Sequence, residues 1–189
     1  MRLFLSFILG MVGVAPAAVV DAVVLGDSVT ANVRWDEEFP GLHIVNLATP
    51  YAQVADVAKQ AAAAERLSPD RVFILIGVND LRWHEASMSV FFQEVTTLAA
   101  RFSRSKVVVQ SIIYVRSPES WPGINDRIRV VNRKLRTWSE THEVTFIDLN
   151  STLAPTGQVE TKYYDDGVHL NTVGIKAWAG LLAREMPRF

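Results

Sequence analysis

The stretch RVFILIG, residues 71–77, is continuously apolar after its arginine and ends in a glycine. A short run without alternating polar residues is typical of a strand that helices cover on both faces. A second stretch, VVDAVVLGDS at residues 19–28, also ends its apolar run at a glycine and passes into polar residues. Both stretches therefore predict buried strands that lead into turns.

The rest of the chain alternates between strand patterns and helix patterns. Further strands are predicted at LHIVNLA, KVVVQSII and VTFIDLN, which are residues 42–48, 106–113 and 144–150. Apolar residues at helical spacing predict helices over residues 52–66 and 87–103, from near Asn125, and over residues 172–185. This alternation favours a doubly wound α/β fold with a mainly parallel sheet, in which ligands bind outside the carboxyl ends of the strands. The polar residues directly after each strand are thus the candidates for function.

Length and composition limit the number of domains and the classes of partner. With 189 residues, 49% of them hydrophobic, the chain is long enough for one substantial core and too short to argue for two domains. A formal net charge of −1 provides no long-range field that would gather nucleic acid, so nucleic-acid binding is disfavoured. Because the chain has no cysteine, it has neither a disulfide nor a thiolate nucleophile.

Residues 1–18, MRLFLSFILGMVGVAPAA, have the pattern of a secretory signal peptide: one arginine, an apolar run and then small residues. The alternative is a buried first strand, but strands longer than about ten residues are unusual. The apolar run is also shorter than the roughly 20 residues that span a bilayer, so no stable membrane insertion is expected after cleavage. We expect a signal peptide over residues 1–18, one domain over residues 19–189, and a periplasmic or secreted protein.

Two of the predicted strands end in short polar motifs. GDS, residues 26–28, places Ser28 on a turn where its hydroxyl can point into the crevice while nearby backbone N–H groups face a developing anion. The alternative is that Asp27 or Ser28 caps the next segment. After the strand at residues 71–77 comes Asn79, whose amide can donate to an oxyanion, although asparagine also favours ordinary turns.

A third motif, DDGVHLN at residues 165–171, precedes the last predicted helix. A serine hydroxyl is a poor nucleophile unless a base takes its proton, and a carboxylate orients that base best. Asp166 and His169 are close enough in one loop to provide the base and its carboxylate. Asp165 could compete for the histidine, but we interpret it as a solvated or capping carboxylate, and we expect Asn171 to cap the final helix.

A metal site is the other interpretation of neighbouring aspartate and histidine residues. The chain has no second histidine at helical spacing, no HExxH motif and no cysteine. We therefore expect no metal and no other cofactor.

The motifs GDS, GVND and DGVH, at residues 26–28, 77–80 and 166–169, occur in this order on an α/β pattern. On these motifs the chain resembles the SGNH hydrolases, also called the GDSL esterase and lipase family, over nearly all of residues 19–189. The resemblance implies a three-layer α/β/α sandwich around a mainly parallel, five-stranded, flavodoxin-like sheet. It also implies a serine hydrolase that cleaves esters without a cofactor.

The same resemblance implies a role for each motif residue. Ser28 is then the nucleophile, His169 the general base and Asp166 the acid that orients it. Asn79 and the backbone N–H of Ser28 donate to the oxyanion.

The family adds a further donor, the backbone N–H of a glycine in an Asn-x-Gly-x-x-Gly block. Here the block reads NLATPY, residues 46–51, with Ala48 and Tyr51 at the glycine positions. The Tyr51 N–H can still donate if its φ and ψ suit a side chain. If the geometry needs a positive φ, the tyrosine is strained and the donor is moved or lost.

The expected substrate is a small-molecule, glycan or lipid ester. A short link after GDS and the stretch WPGIND, residues 121–126, are similar to the acetylhydrolase and carbohydrate O-acetylesterase branches of the family, so a short-chain acyl or O-acetyl ester is favoured. We predict that Asp27, Tyr51 and Trp35 contact the substrate, although aromatic residues such as Trp35 more often pack. The alternatives are a periplasmic thioesterase or lysophospholipase, an acyltransferase, or a catalytically weak module that binds a glycan or lipid. The oligomeric state is not predicted.

Overall fold

The computed structural model of the protein describes residues 19–82, 87–116 and 120–187. The predicted signal peptide, residues 1–18, lies outside this part of the chain. Five strands form one sheet: β1 Ala22–Gly26, β2 Ile44–Asn46, β3 Arg71–Leu75, β4 Lys106–Gln110 and β5 Val144–Ile147. Each lies within a stretch that the sequence predicts as a strand.

The described residues form four long helices and four of a single turn. The long helices are α3 Val54–Arg66, α5 Ser87–Ala100, α6 Ile124–Ser139 and α8 Thr172–Leu182. They coincide with the four predicted helices to within a few residues at each end. The short ones are α1 Ser28–Ala31, α2 Trp35–Glu38, α4 Val78–Leu81 and α7 Asn150–Leu153, and a 3₁₀ turn covers Thr161–Tyr163. These single turns were not predicted, because four residues are too few to show helical periodicity.

The strand order is β2-β1-β3-β4-β5, and every neighbouring pair is parallel. This is the flavodoxin-like order, so the predicted five-stranded parallel sheet is confirmed. The chain moves outward from β1 to β2 and then returns to place β3 on the other side of β1. The order of strands therefore reverses between β1 and β3, and the crevice for a ligand opens at their carboxyl ends.

Two hydrophobic clusters cover the two faces of the sheet and make three layers. On one face, Val23 and Leu25 of β1 pack with the buried sides of α3, α5 and α6. On the other face, Ala22 and Val24 pack with residues of α1, α2, α7 and α8. All five residues of β1 are buried, which explains why its sequence is continuously apolar. None of the described helices has the length and apolar character needed to cross a membrane.

Close packing requires the glycines at the ends of β1 and β3. A Cβ atom on Gly26 would lie 2.3 Å from the carbonyl oxygen of Leu75 in the neighbouring strand. A Cβ atom on Gly77 would lie 2.5 Å from the ring of Phe91, and the φ of Gly77 is +134°. The two chain segments that leave the sheet at the switch point therefore approach each other closely.

Candidate active site

Ser28 is the first residue of α1 and lies at the carboxyl end of β1. Asp27 caps this helix because its carboxylate accepts a hydrogen bond from the N–H of Val29 at 3.0 Å. The cap turns the chain sharply after Gly26, so that the Ser28 side chain leaves the sheet at the switch point.

Ser28, His169 and Asp166 form one chain of hydrogen bonds. The Oγ atom of Ser28 is 3.0 Å from Nε2 of His169, and Nδ1 of the same ring is 2.8 Å from Oδ2 of Asp166. The other carboxylate oxygen of Asp166 accepts the backbone N–H groups of Val168 and His169 at 2.6 and 2.7 Å. The aspartate thus holds both the backbone and the ring of the histidine.

The turn between Asp166 and His169 does not depend on the conformational freedom of the glycine between them, Gly167. Gly167 is absent from the glycines with positive φ in the described chain, so the turn does not use the left-handed region. The carboxylate of Asp166 makes the turn instead by accepting two successive N–H groups.

The hydrogen bonds around Asp166 keep its carboxylate ionised. Partial burial by itself raises the pKa of this carboxyl group, but the bonds from the His169 ring and from the N–H groups of His169 and Val168 outweigh it and lower the pKa to about 2. An ionised carboxylate fixes the ring so that Nε2 faces the serine, and it can stabilise an imidazolium.

The loop that follows β4 supports the histidine loop from outside. The N–H of Arg116 donates to the carbonyl oxygen of Gly167 at 2.7 Å, and the hydroxyl of Tyr164 donates to the carbonyl oxygen of Tyr114 at 3.0 Å. The N–H of Tyr114 in turn donates to the side chain of Asn150 at 3.0 Å. His169 is therefore positioned by three segments of chain that are distant in sequence.

Asn79 lies in α4, directly after the close approach at Gly77. Its amide nitrogen donates to the carbonyl oxygen of Ala52 at 3.0 Å. A side-chain amide carries two hydrogens, so one N–H is used in this bond and the second remains for an oxyanion. The side chain thus has a fixed orientation before any substrate binds.

The next residue, Asp80, has a positioning role that the sequence analysis missed. Its carboxylate accepts the N–H of Val54 at 3.0 Å, and burial raises its pKa to about 6. Together with Asn79, it ties residues 52–54 to α4 and so holds the end of the NLATPY block. Its place next to Asn79 in GVND is the only signal of this role in the sequence.

Tyr51 adopts a positive φ of 63°, the region that favours glycine. It follows Pro50 in a turn that is closed by a 3.2 Å hydrogen bond from the N–H of Ala52 to the carbonyl oxygen of Thr49. Proline in second place and a positive φ in third place define a type II turn, which normally has glycine in the third position. A side chain in this conformation costs about 1–2 kcal/mol, so the turn is strained.

The hydrogen bond that closes this turn does not involve the backbone N–H of Tyr51. Within the described part of the chain, no acceptor contacts this N–H. The N–H of Thr49 donates to the carbonyl oxygen of Gly26 at 3.1 Å. This bond ties the turn to Gly26, which is two positions before Ser28 in the chain. The role of Tyr51 as an oxyanion donor stays a prediction, and its side chain is 86% exposed.

Two of the three predicted substrate contacts, Trp35 and Asp27, have buried side chains. Trp35 is only 3% exposed: its ring stacks on Phe39 and meets Trp178 edge to face at 5.0 Å between centroids. Asp27 is only 2% exposed, and its carboxylate lies beneath Ser28 as a helix cap. Burial is the main cause that raises the pKa of Asp27 to about 7, the N–H of Val29 opposes it, and the nearby charge of Asp80 adds to it.

Chemically, the arrangement can move a proton from a hydroxyl to an imidazole. The 3.0 Å separation of Oγ and Nε2 is within the range of general-base catalysis. In the part of the chain that the structure describes, no three His, Asp or Glu side chains are grouped so that they could hold a metal ion.

Comparisons with known proteins agree with this fold. The model of the GDSL-like lipase/acylhydrolase family matches residues 24–177. No match was found among the curated proteins. A GDSL-like lipase from Bacteroides thetaiotaomicron is 16% identical with a TM-score of 0.76, over 87% of this chain and 86% of the other.

Two further solved structures have the same fold. A lipase/acylhydrolase from Enterococcus faecalis is 22% identical with a TM-score of 0.72, over 87% of this chain and 94% of the other. An acetyl xylan esterase is 20% identical with a TM-score of 0.64, over 87% of this chain and 98% of the other.

Proposed function

The chain belongs to the GDSL-like lipase/acylhydrolase family, whose members hydrolyse esters, and on this premise we propose that it is an exported esterase that forms an acyl-enzyme on Ser28. The observation that carries the proposal is the chain of hydrogen bonds from Ser28 through His169 to Asp166, at 3.0 and 2.8 Å. Such a chain activates a hydroxyl that is otherwise a poor nucleophile.

In the first half of the reaction, Oγ of Ser28 attacks the ester carbonyl carbon and its proton passes to Nε2 of His169. The carbonyl oxygen becomes an oxyanion, which accepts hydrogen bonds from the free N–H of the Asn79 amide and from the backbone N–H groups of Ser28 and Tyr51. The carbon–oxygen bond to the leaving group then breaks, and His169 gives its proton to the departing alkoxide. An alcohol leaves and Ser28 carries the acyl group.

In the second half, a water molecule takes the place of the alcohol that has left and attacks the acyl group on Ser28. His169 takes a proton from the water, the resulting hydroxide attacks the acyl carbon, and the proton returns to Oγ of Ser28 as the carboxylic acid leaves. The ionised Asp166 stabilises the imidazolium in both halves. Since every proton is supplied by the serine or by water, the cycle is balanced without a further reactant.

For the acyl group we propose a short chain, above all acetyl. Similarity in fold to an acetyl xylan esterase supports this choice, together with the short segment between GDS and β2, which contains α1 and α2. Hydrolysis of p-nitrophenyl esters with acyl chains of increasing length, and of acyl-thioesters, tests it. We expect the highest kcat/KM for acetate, whereas a strong preference for long chains or thioesters would favour the thioesterase or lysophospholipase alternative.

Labelling with a fluorophosphonate tests the nucleophile. We expect the protein to be labelled, Ser28→Ala to lose the label, and Ser103→Ala to keep it, because Ser103 is exposed in the turn after α5, before β4 begins at the amino end of the sheet. A folded protein that takes no label would overturn the proposal and favour a binding module.

We also propose that residues 1–18 are removed on export. Cleavage after residue 18 would leave β1 complete, since this strand begins at Ala22. Expression of the whole chain in a bacterial host and amino-terminal sequencing of the protein outside the cytoplasm test this proposal. We expect a mature chain that begins near Val19, and an uncleaved chain that stays in the cytoplasm would contradict it.

A further inference from the structure

A pocket of about 190 Å³ opens beside Ser28 and His169, between the end of α1 and the start of α8. Asn32, Asp165 and Thr172 are polar residues of its wall, and Leu170 and Ile175 are apolar ones. At about 30 Å³ for each water molecule of the liquid, this volume equals that of roughly six waters. The pocket is therefore large enough for a small organic group, and both residues of the proposed proton transfer, Ser28 and His169, belong to its wall.

The geometry of the reaction determines which part of an ester this pocket can hold. The oxyanion must face Asn79 and Tyr51, and neither residue belongs to the wall of the pocket. The leaving oxygen must lie within hydrogen-bond reach of Nε2 of His169, because this ring returns the proton. The pocket shares His169 with that step, so the alcohol portion of the ester lies in it and the acyl portion lies elsewhere.

The side chains of the wall are suited to hydroxyl groups. Among the described residues, no hydrogen-bond partner contacts the side chains of Asn32, Asp165 or Thr172, so all three are available to a ligand. A carboxylate accepts hydrogen bonds, and an amide and a hydroxyl both donate and accept them. Leu170 and Ile175 provide an apolar surface between these groups. A combination of several hydrogen-bonding groups with a small apolar surface fits a ring that carries several hydroxyls.

We propose that this pocket binds a neutral, polyhydroxylated alcohol, a sugar, as the leaving group, and that Asp165, Asn32 and Thr172 select it. The inference rests on the proposed function, since it assigns one part of the same ester. Asp165 also discriminates by charge: its carboxylate repels a leaving group that carries a phosphate or carboxylate of its own. The residue that the sequence analysis interpreted as a solvated carboxylate is thus a specificity residue.

Two acetate esters that differ only in the alcohol test the inference, because they form the same acyl-enzyme. We would measure kcat/KM for 6-O-acetylglucose and for p-nitrophenyl acetate with the wild type and with Asp165→Asn and Asn32→Ala. Asp165→Asn replaces a charged hydrogen-bond acceptor by a neutral one, and Asn32→Ala removes a neutral hydrogen-bonding group, each of which typically costs about 2- to 12-fold in affinity. Each variant should therefore lower the value for the sugar ester by about 2- to 12-fold more than the value for the aryl ester. The second variant keeps the test informative if the first does not fold.

The matched control is Asp70→Asn, which removes an exposed carboxylate directly before β3, at the opposite end of the sheet. We expect this control to leave the ratio between the two esters unchanged. An unchanged ratio in both pocket variants, or a wild type that hydrolyses the aryl ester but not the sugar ester, would overturn the inference and leave the proposed function intact. A wild type that neither hydrolyses the aryl ester nor takes a fluorophosphonate would instead overturn the proposed function itself.

Discussion

Replacement of Asp27 by asparagine should stabilise the protein, and the gain should depend on pH. The Asp27 carboxyl is buried beneath Ser28, and burial raises its pKa from 3.8 to about 7. Folding therefore opposes ionisation of this group. Asparagine keeps an oxygen that can accept the Val29 N–H and carries no charge at any pH.

The raised pKa determines the sign and size of the effect. Below pH 3.8 the carboxyl is neutral in both the folded and the unfolded chain, so its titration contributes nothing to stability. As the pH rises, the unfolded chain ionises first, and the penalty for burying the charge is complete above about pH 7. The difference between the two pKa values is about three units, each worth about 1.4 kcal/mol, so the full penalty is about 4 kcal/mol.

Urea unfolding of the wild type and of Asp27→Asn at several pH values measures this penalty. The advantage of the variant in free energy of unfolding should grow by about 3 kcal/mol between about pH 5 and about pH 9. Asp70→Asn, which removes an exposed carboxylate, should show no such growth. A difference in free energy of unfolding between variant and wild type that is independent of pH would contradict this prediction, because it would mean that Asp27 ionises equally well in the folded and the unfolded chain.

Three further predictions concern single residues. Asn79→Ala removes an oxyanion donor, so it should lower kcat for acetate esters roughly 100- to 1,000-fold with a smaller change in KM. A loss of affinity for a substrate analogue as large as the loss of kcat would argue against that role. Tyr51→Gly should be more stable than Tyr51→Ala by about 1 kcal/mol in thermal unfolding, since only alanine keeps a Cβ at positive φ. A glycine variant less stable than the alanine variant would show that the turn is not strained. Asn171→Ala should lower the free energy of unfolding by about 1 kcal/mol, because the side chain accepts the N–H groups of Val173 and Gly174 at the start of α8. Asn171→Asp keeps the acceptor, so its free energy of unfolding should fall by less.

Features that depend on local sequence were predictable. The buried strands β1 and β3 have no alternation because both of their faces are covered. Glycine is required at Gly26 and Gly77, where an added Cβ atom would lie 2.3 and 2.5 Å from neighbouring atoms. Asn171 follows the loop before an apolar segment and caps α8 as expected. The order of the motifs on an α/β pattern predicted that Ser28 and His169 lie close together, although the two residues are 141 positions apart in the chain.

Features that depend on tertiary packing were not predictable. Trp35 looked available to a substrate, but the single turn of α2 places it against Trp178, which is 143 positions further along the chain. Asp27 looked like a polar residue at the mouth of the crevice, yet its role is to cap α1 from beneath. Asp165 looked like a solvated neighbour of the motif aspartate, and only the packing of the histidine loop beside α1 shows that it borders a pocket.

The proposed function requires that the acyl group of the ester is transferred to Ser28. Rapid acid quenching of a reaction with p-nitrophenyl acetate, followed by proteolysis and mass spectrometry of the peptides, measures this transfer directly. We predict an acetyl group on Ser28 in the wild type and none in Ser28→Ala. Acetylation of another residue, or continued hydrolysis by Ser28→Ala, would contradict the account.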